Sequence, residues 1–238
     1  MTQISKASLW RYLSESLLII GMAFIMLVVT QALVGRMYVV PSASMEPTLH
    51  GCAGCSNDRI VVEKLSYLFS SPQRGDVVVF EGTDSWNVGF TVERSQNVIA
   101  RGVQNLAAGA GLMPNTENIL VKRVVATEGD IVQCLEGDET VLVNGHKTKT
   151  SFLQSPPDMV IGSDGGSQAC GGKYFGPLEV PKNSLFVMGD NRTNSLDSRY
   201  HLGDMLQGTI PESSVRGKVR AVVYPRLSSV PREEILIP

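Results

Sequence analysis

The chain has 238 residues, of which 43% are hydrophobic and 18% are charged, and its net charge is −2. Binding of nucleic acid requires a concentrated positive surface, and no basic run stands out, so the composition argues against a nucleic-acid partner. After a short N-terminal segment the length leaves room for one domain of about 200 residues.

The first predicted element is an uncharged apolar segment over residues 16–35, SLLIIGMAFIMLVVTQALVG. A helix needs about 20 apolar residues to cross a bilayer, so we predict a single transmembrane helix here. Basic residues before the segment favour a cytoplasmic N-terminus, residues 1–15, and an extracytoplasmic domain, residues 36–238. The alternative is a cleaved signal peptide with Thr30–Ala32 as its cleavage site. We favour the anchor, because a signal peptide has a shorter apolar core of about 7–15 residues.

Beyond this segment, short β-favouring runs alternate with turns. Asn144-Gly145 predicts a tight hairpin. We predict strands at Met37–Val40, Ile60–Glu63, Asp76–Phe80, Asn118–Ala126, Ile131–Cys134, Val141–Val143, Leu185–Met188 and Val219–Tyr224. Many short strands without alternating long helices are typical of a mainly β, antiparallel domain. Two stretches stay without a strand assignment, a possible insertion at about 90–118 and a Gly-, Ser- and Pro-rich loop at 155–176.

Four cysteines follow the apolar segment, and an even number in an extracytoplasmic domain favours disulfides. Nearness along the chain suggests the pairs Cys52–Cys55 and Cys134–Cys170, although three connectivities are open. The C-x2-C spacing of Cys52 and Cys55 is also that of half a zinc site. Since the sequence has no second C-x2-C or H-x3-5-H group to complete it, we expect no metal.

Ser44 is the candidate nucleophile, in a turn between a predicted strand and Pro47, only a few residues past the apolar segment. A serine hydroxyl attacks only when a base removes its proton. The chain has three histidines, His50, His146 and His201, and neither a recognisable Ser-His-Asp pattern nor a G-x-S-x-G elbow.

His201 is the best histidine candidate for that base, because Asp197 and Asp204 lie close to it in the sequence. A spatial triad does not depend on sequence order, so this alternative stays open.

Lys122 is the other candidate base. Side chains alternate along a strand, so Lys122 shares one apolar face of the predicted strand at 118–126 while Arg123 shares the other. A guanidinium cannot be deprotonated, whereas burial can lower the pKa of a lysine into the range of a general base. Chemistry therefore selects Lys122 over Arg123. From this strand alone, an ordinary lysine whose amine reaches solvent is the alternative.

A polar run, GDNRTNSLDSR at residues 189–199, directly follows the apolar strand Leu185–Met188. Its composition predicts a loop, and a loop fixed to a core strand often supports a functional site. Its acidic and basic side chains can pair with one another. A hydrated surface turn has the same composition.

Taken together, these motifs resemble those of the type I signal peptidases. The shared features are PSASMEPTL at 41–49, Lys122-Arg123 and the run at 189–199, with Gly75–Phe80 and Gly129-Asp130 in the same order. The resemblance implies a membrane-anchored serine endopeptidase that cleaves signal peptides from exported preproteins, built on two antiparallel β-sheets. The region 90–118 and the cysteine pairs lie outside the family motifs.

The resemblance also implies roles for individual residues: Ser44 as nucleophile, Lys122 as general base, and the Ser42 hydroxyl with the Ser44 backbone N–H as the oxyanion hole. It further implies that Ser195 orients the lysine amine. Salt bridges would hold the supporting loop through Asp190, Arg192, Asp197 and Arg199. No cofactor is expected. The implied partners are preproteins, the lipid bilayer and the protein-export machinery, with the chain in the cell membrane.

Two other classes of protein remain. An inactive, membrane-anchored binding protein would not need both Ser44 and Lys122. A self-cleaving Ser/Lys protease of the SOS-repressor kind would carry a DNA-binding head where this chain has its apolar segment.

Overall fold

A computed structural model describes residues 6–33, 35–87, 97–98, 100–102 and 118–237. One long helix, α1 (Lys6–Leu33), precedes a β-rich domain. The strands are β1 (Gly35–Val39), β2 (Arg59–Glu63), β3 (Val77–Glu81), β4 (Ile119–Thr127), β5 (Ile131–Cys134), β6 (Leu142–Val143), β7 (His146–Lys147), β8 (Gly166–Ser167), β9 (Gly172–Lys173), β10 (Phe175–Glu179), β11 (Ser184–Met188), β12 (Ile210–Pro211), β13 (Val215–Tyr224) and β14 (Ser228–Ser229). Short 3-10 turns lie at Ala43–Met45, Leu65–Leu68, Asp84–Trp86, Ser198–Tyr200 and Glu212–Ser214.

Two main antiparallel sheets organise the described part of the domain. The larger has the order β1-β2-β13-β3-β4-β11-β12, with β14 paired to β13, and the smaller has the order β10-β5-β6-β7. Strands β8 and β9 form a separate pair. The predicted mainly β, antiparallel fold with two sheets is confirmed.

Each predicted strand overlaps an observed one. The hairpin prediction holds as well, because Asn144 and Gly145 both have positive φ values, 53° and 77°, between β6 and β7. Among the predicted strands, the largest difference in bounds is at β13, which begins at Val215 rather than at Val219, whereas β10 and five two-residue strands were not predicted. The first residues of β13 pair with β3 despite their polar sequence, so tertiary pairing extends the strand beyond its apolar run.

The centre of the larger sheet is buried on both faces. Apolar side chains of β4 and β11 pack towards the smaller sheet in one core cluster, and others from β3, β4 and β11 pack on the opposite face. A third cluster lies among β1, β2, β3 and β13 and includes Met45 and Leu49. Neighbouring residues of β4 therefore lie in different buried environments on the two faces of the sheet.

The N-terminal helix presents large apolar side chains outward, including Trp10, Ile25 and Met26, which are 75%, 63% and 73% exposed. Within the ranges the structure describes, no helix combines the length and the apolar character needed to cross a membrane. The transmembrane helix predicted over 16–35 thus stays a prediction. The possible insertion at 90–118 lies outside the described residues apart from 97–98, 100–102 and Asn118.

Candidate active site

Ser44 lies at the middle of the 3-10 turn Ala43–Met45. Two backbone bonds shape the turn and its continuation, from Glu46 N to Ala43 O at 3.1 Å and from Leu49 N to Met45 O at 2.9 Å. The side chains of Met45 and Leu49 are buried in the core. Because these apolar side chains anchor the turn, Ser44 is held in a defined position.

Lys122, in the middle of β4, meets Ser44 directly. Its Nζ donates to Ser44 Oγ at 2.6 Å, and the lysine is only 4% exposed. Burial lowers its pKa to about 8, and Arg199 acts in the same direction, whereas the negative charges of Asp197 and Asp190 act against it. The site thus contains an amine that is largely neutral in mildly alkaline water, at hydrogen-bond distance from a hydroxyl.

Ser42 lies next to Ser44, on the side that faces solvent. Its Oγ lies 3.3 Å from Ser44 Oγ, in an exposed position just before the 3-10 turn. Two hydroxyls therefore lie side by side at the exposed edge of the turn.

The start of the polar run at 189–199 packs against the back of the serine turn. Asn191 donates from its backbone N to Ser44 O at 3.2 Å and from Nδ2 to Ala43 O at 3.0 Å. A Cβ on Gly189 would lie 2.3 Å from both Ser44 O and Ser195 Oγ. Only glycine permits this close approach.

Asp190 forms a buried ion pair with Arg123, the residue that follows Lys122 in β4. Arg123 donates from Nε and Nη2 to the two oxygens of Asp190, at 2.8 and 2.6 Å, and from Nη1 to Gly75 O at 2.8 Å. Thr48 also donates to Asp190, at 2.5 Å. The pair therefore joins β4, the polar loop and the end of the serine turn.

Asp197 and Arg199, for which the resemblance implies salt bridges, form a second buried pair. Arg199 donates from Nε and Nη2 to the two carboxylate oxygens, and Asp197 also accepts from Gly189 N at 3.0 Å. Arg199 continues to the backbone through Nη1, which donates to Cys170 O at 2.9 Å and Gly171 O at 2.7 Å.

Two implied contacts differ from what the structure contains. Arg192 donates from Nε to Gly189 O at 3.0 Å, and no salt bridge joins it to a carboxylate of the described residues. Ser195 is buried, but its Oγ has no hydrogen-bond partner among the described residues, so its expected bond to Lys122 is not formed.

His201, the histidine alternative, lies in a different environment. Its ring stacks on Trp86 with the centroids 4.4 Å apart, and partial burial lowers its pKa. Across the described part of the chain, no hydrogen bond joins His201 to Ser44. The oxygens of Asp197 are taken by Arg199 and Gly189 N. The geometry brings Lys122, and not His201, to the serine.

The four cysteines lie in the two pairs that nearness suggested. The sulfurs of Cys52 and Cys55 are 2.11 Å apart and those of Cys134 and Cys170 are 2.05 Å apart, both at disulfide distance. The second pair is fully buried, whereas the first lies in a partly exposed loop together with His50.

Comparison with known proteins gives a consistent result. The family model described as "Signal peptidase, peptidase S26" matches residues 13–224. A signal peptidase I of Mycobacterium tuberculosis is 47% identical over 218 residues, covering 90% of this chain and 73% of its own length. A chain named probable signal peptidase I, from Mycobacterium leprae, is 44% identical, with coverages of 92% and 78%. A signal peptidase I of Leptolyngbya laminosa is 32% identical, with coverages of 89% and 78%.

Proposed function

This chain belongs to the signal peptidase family, peptidase S26, and we propose that it cleaves signal peptides from exported preproteins with Ser44 as nucleophile and Lys122 as general base. The observation that carries the proposal is the 2.6 Å separation of Lys122 Nζ and Ser44 Oγ. Burial lowers the pKa of the lysine to about 8, so a useful fraction of the amine is neutral near physiological pH.

In the proposed mechanism, neutral Lys122 accepts the proton of the Ser44 hydroxyl while Oγ attacks the scissile carbonyl carbon. The tetrahedral intermediate collapses, the lysine ammonium protonates the leaving amine, and the signal peptide remains as an acyl group on Ser44. Lys122 then removes a proton from a water molecule, which hydrolyses the ester and restores the free serine. Each proton that the amine accepts is returned within the same cycle.

Two donors are proposed to stabilise the oxyanion, the Ser42 hydroxyl and the Ser44 backbone N–H. The 3.3 Å separation of Ser42 Oγ and Ser44 Oγ supports the first, because the carbonyl oxygen of a bound substrate must lie close to the attacking atom. One donor of this kind is worth about 2.7–4 kcal/mol of transition-state stabilisation.

The two buried ion pairs are proposed to position the dyad rather than to take part in proton transfer. Asp190 and Asp197 partly offset the effect of burial on the pKa of Lys122, and the arginines compensate their charges.

We further propose that α1 keeps the catalytic domain at the outer face of the cell membrane, with the N-terminus on the cytoplasmic side. The support is the exposed apolar surface of the helix and the uncharged segment 16–35. A preprotein held by its own apolar signal segment presents its cleavage point in the same layer, so anchoring raises the effective concentration of substrate. At that location the chain would also be close to the protein-export machinery, which delivers preproteins across the same membrane.

Processing of a preprotein by the full chain in detergent or vesicles tests the dyad. Ser44→Ala and Lys122→Ala should each abolish cleavage, whereas His201→Ala should retain it. Lys147, an exposed lysine paired with Glu139, provides the matched control, and Lys147→Ala should cleave like the unmodified chain. Full activity of Lys122→Ala would contradict the proposal, and loss in His201→Ala alone would favour a histidine base.

A further inference from the structure

A second group of reactive side chains lies in the loop directly after the serine turn. One ring nitrogen of His50 and the sulfurs of Cys52 and Cys55 all lie within 4.8 Å of one another. In the described part of the chain this is the group of three His, Cys, Asp or Glu side chains whose geometry suits a metal ion. His50 adds a third ligand to the C-x2-C pair, although it lies outside any H-x3-5-H group.

Hydrogen bonds close the loop, in addition to the contact between the sulfurs of Cys52 and Cys55. His50 N donates to Asp58 Oδ2 at 2.8 Å and Asp58 N donates back to His50 O at 2.9 Å, so the two ends of the loop are joined by a reciprocal pair. Cys52 N donates to Asn57 Oδ1 at 2.9 Å. Gly54, with φ +81°, provides the left-handed turn between the cysteines. These hydrogen bonds and the sulfur–sulfur contact together set the positions of the three side chains.

Glu46 prepares the histidine for coordination. Its Oε1 lies 2.5 Å from His50 Nδ1, and its side chain is only 22% exposed. A carboxylate that accepts from Nδ1–H leaves the lone pair on Nε2 free, and metal-bound histidines almost always have such a partner on their other nitrogen. The contact between Glu46 and His50 involves neither Lys122 nor the loop at 189–199, so it has no role in the proposed catalytic mechanism.

We propose that the loop binds one Zn²⁺ ion through His50 Nε2 and the thiolates of Cys52 and Cys55, with water at the fourth position. Two thiolates and an imidazole suit a tetrahedral zinc ion, whereas calcium and magnesium prefer oxygen ligands. Binding releases the two thiol protons to solvent, so affinity rises with pH. This proposal replaces the expectation from the sequence that the chain carries no metal.

The disulfide between the same two cysteines is the competing state, because each sulfur can serve only one bond. An external dithiol converts one state to the other by thiol–disulfide exchange. Its two thiols are oxidised to a disulfide while Cys52 and Cys55 gain two electrons and two protons. Zinc then displaces those protons and protects the thiolates from reoxidation.

The site is close enough to the serine turn to stabilise it. A Cβ on Gly51 would lie 2.3 Å from Val40 O and 2.8 Å from Ser42 N, so the loop packs tightly against the residues that lead into the turn. A ligand that binds only the folded loop stabilises the folded chain in proportion to its concentration. We therefore expect zinc to raise the melting temperature.

The experiment uses the full chain, reduced with a phosphine under anaerobic conditions, with free thiols counted and bound zinc measured by mass spectrometry. One zinc per chain is expected, and Co²⁺ in its place should give thiolate-to-metal charge-transfer absorption. Cys52→Ser/Cys55→Ser should bind no zinc, and His50→Ala and Glu46→Gln should each lower affinity by about tenfold or more. His146→Ala, which changes an exposed histidine in β7, is the matched control and should bind like the unmodified chain.

Three results would overturn the proposal. One is a reduced chain with Cys52 and Cys55 free that binds no zinc, and another is unchanged zinc content in Cys52→Ser/Cys55→Ser. The third is a chain that, isolated from its own membrane without oxidant, carries the 52–55 pair wholly oxidised and without metal. The melting-temperature shift provides a second readout if a cysteine variant folds poorly. Ser44→Ala should bind zinc normally, so failure of the peptidase proposal is distinguishable from failure of this one.

Discussion

Arg123 and Asp190 form a buried pair in which two guanidinium nitrogens each donate to one carboxylate oxygen, at 2.8 and 2.6 Å. Arg123 directly follows Lys122 in β4, so the two side chains project to opposite faces of the strand. Lys122 contacts Ser44, and Arg123 binds Asp190 in the loop that packs behind the serine turn. Neighbouring positions of one strand therefore supply the proposed chemistry and its support.

Loss of this pair should cost more than loss of a surface pair. We expect Arg123→Met to lower the free energy of unfolding by about 3–5 kcal/mol, because it leaves the Asp190 carboxylate buried without a counter-charge. Urea denaturation of the detergent-solubilised chain measures the change. Lys147→Met, which breaks an exposed pair with Glu139, is the control and should leave the free energy of unfolding nearly unchanged. Equal effects of the two substitutions would contradict the assigned importance of the buried pair.

Cleavage should increase with pH through the titration of Lys122. Burial lowers the pKa of the amine to about 8, and only the neutral form can accept the serine proton. Below that pKa, kcat/KM should fall by about tenfold for each pH unit, and above it the rate should level off. Initial rates of preprotein processing between pH 6 and pH 10 provide the profile, with the folded state monitored over the same range. A rate that is flat between pH 6 and pH 9 would be inconsistent with a lysine base.

Removal of the Ser42 hydroxyl should slow the chemical step. Ser42→Ala should lower kcat by about 10²–10³-fold with little change in KM, because an oxyanion donor acts mainly in the transition state. Steady-state kinetics on a peptide substrate separate the two parameters. Ser228→Ala, in the exposed strand β14, is the control and should leave both unchanged. An effect of Ser42→Ala on KM alone would indicate substrate binding instead.

Gly189 should not tolerate even a methyl group. Its added Cβ would lie 2.3 Å from the Ser44 carbonyl oxygen, so Gly189→Ala must displace the serine turn or the loop behind it. We expect a loss of cleavage of at least about tenfold, since small displacements at a reacting centre have large kinetic effects. Gly203→Ala is the matched control, because its Cβ would meet nothing within 4 Å. Similar activity in the two variants would show that the turn can shift without consequence.

Local sequence patterns were sufficient for most of the strands and for the pair of residues at the proposed reaction centre. Val77–Phe80 is a continuous apolar run, and Lys122 and Arg123 lie between the apolar residues 119–121 and 124–126. Both segments are rich in β-branched residues, which favours strands. The choice of Lys122 over Arg123 needed only the difference between an amine and a guanidinium. The 2.6 Å contact with Ser44 agrees with that choice.

Long-range partners could not be predicted in the same way. Asp190 was expected to pair within its own loop, but its partner Arg123 is 67 positions away in the chain and is brought close by the pairing of β4 with β11. The contact of His50 with Glu46 and with the cysteines likewise depends on how the loop closes at Asp58. Register and loop closure decide these contacts, and neither is visible in composition or periodicity.

The junction between α1 and β1 has a consequence for where cleavage occurs. The helix ends at Leu33, the strand begins at Gly35, and β1 pairs with β2 from Gly35↔Glu63 to Val39↔Arg59. In the sequence a single residue lies between the end of the helix and the start of the sheet that carries the serine turn, so the two are closely spaced along the chain. A residue added at this junction would either slip the register of an edge strand, turning its inward side chains outward, or move the reaction centre to a different depth relative to the helix.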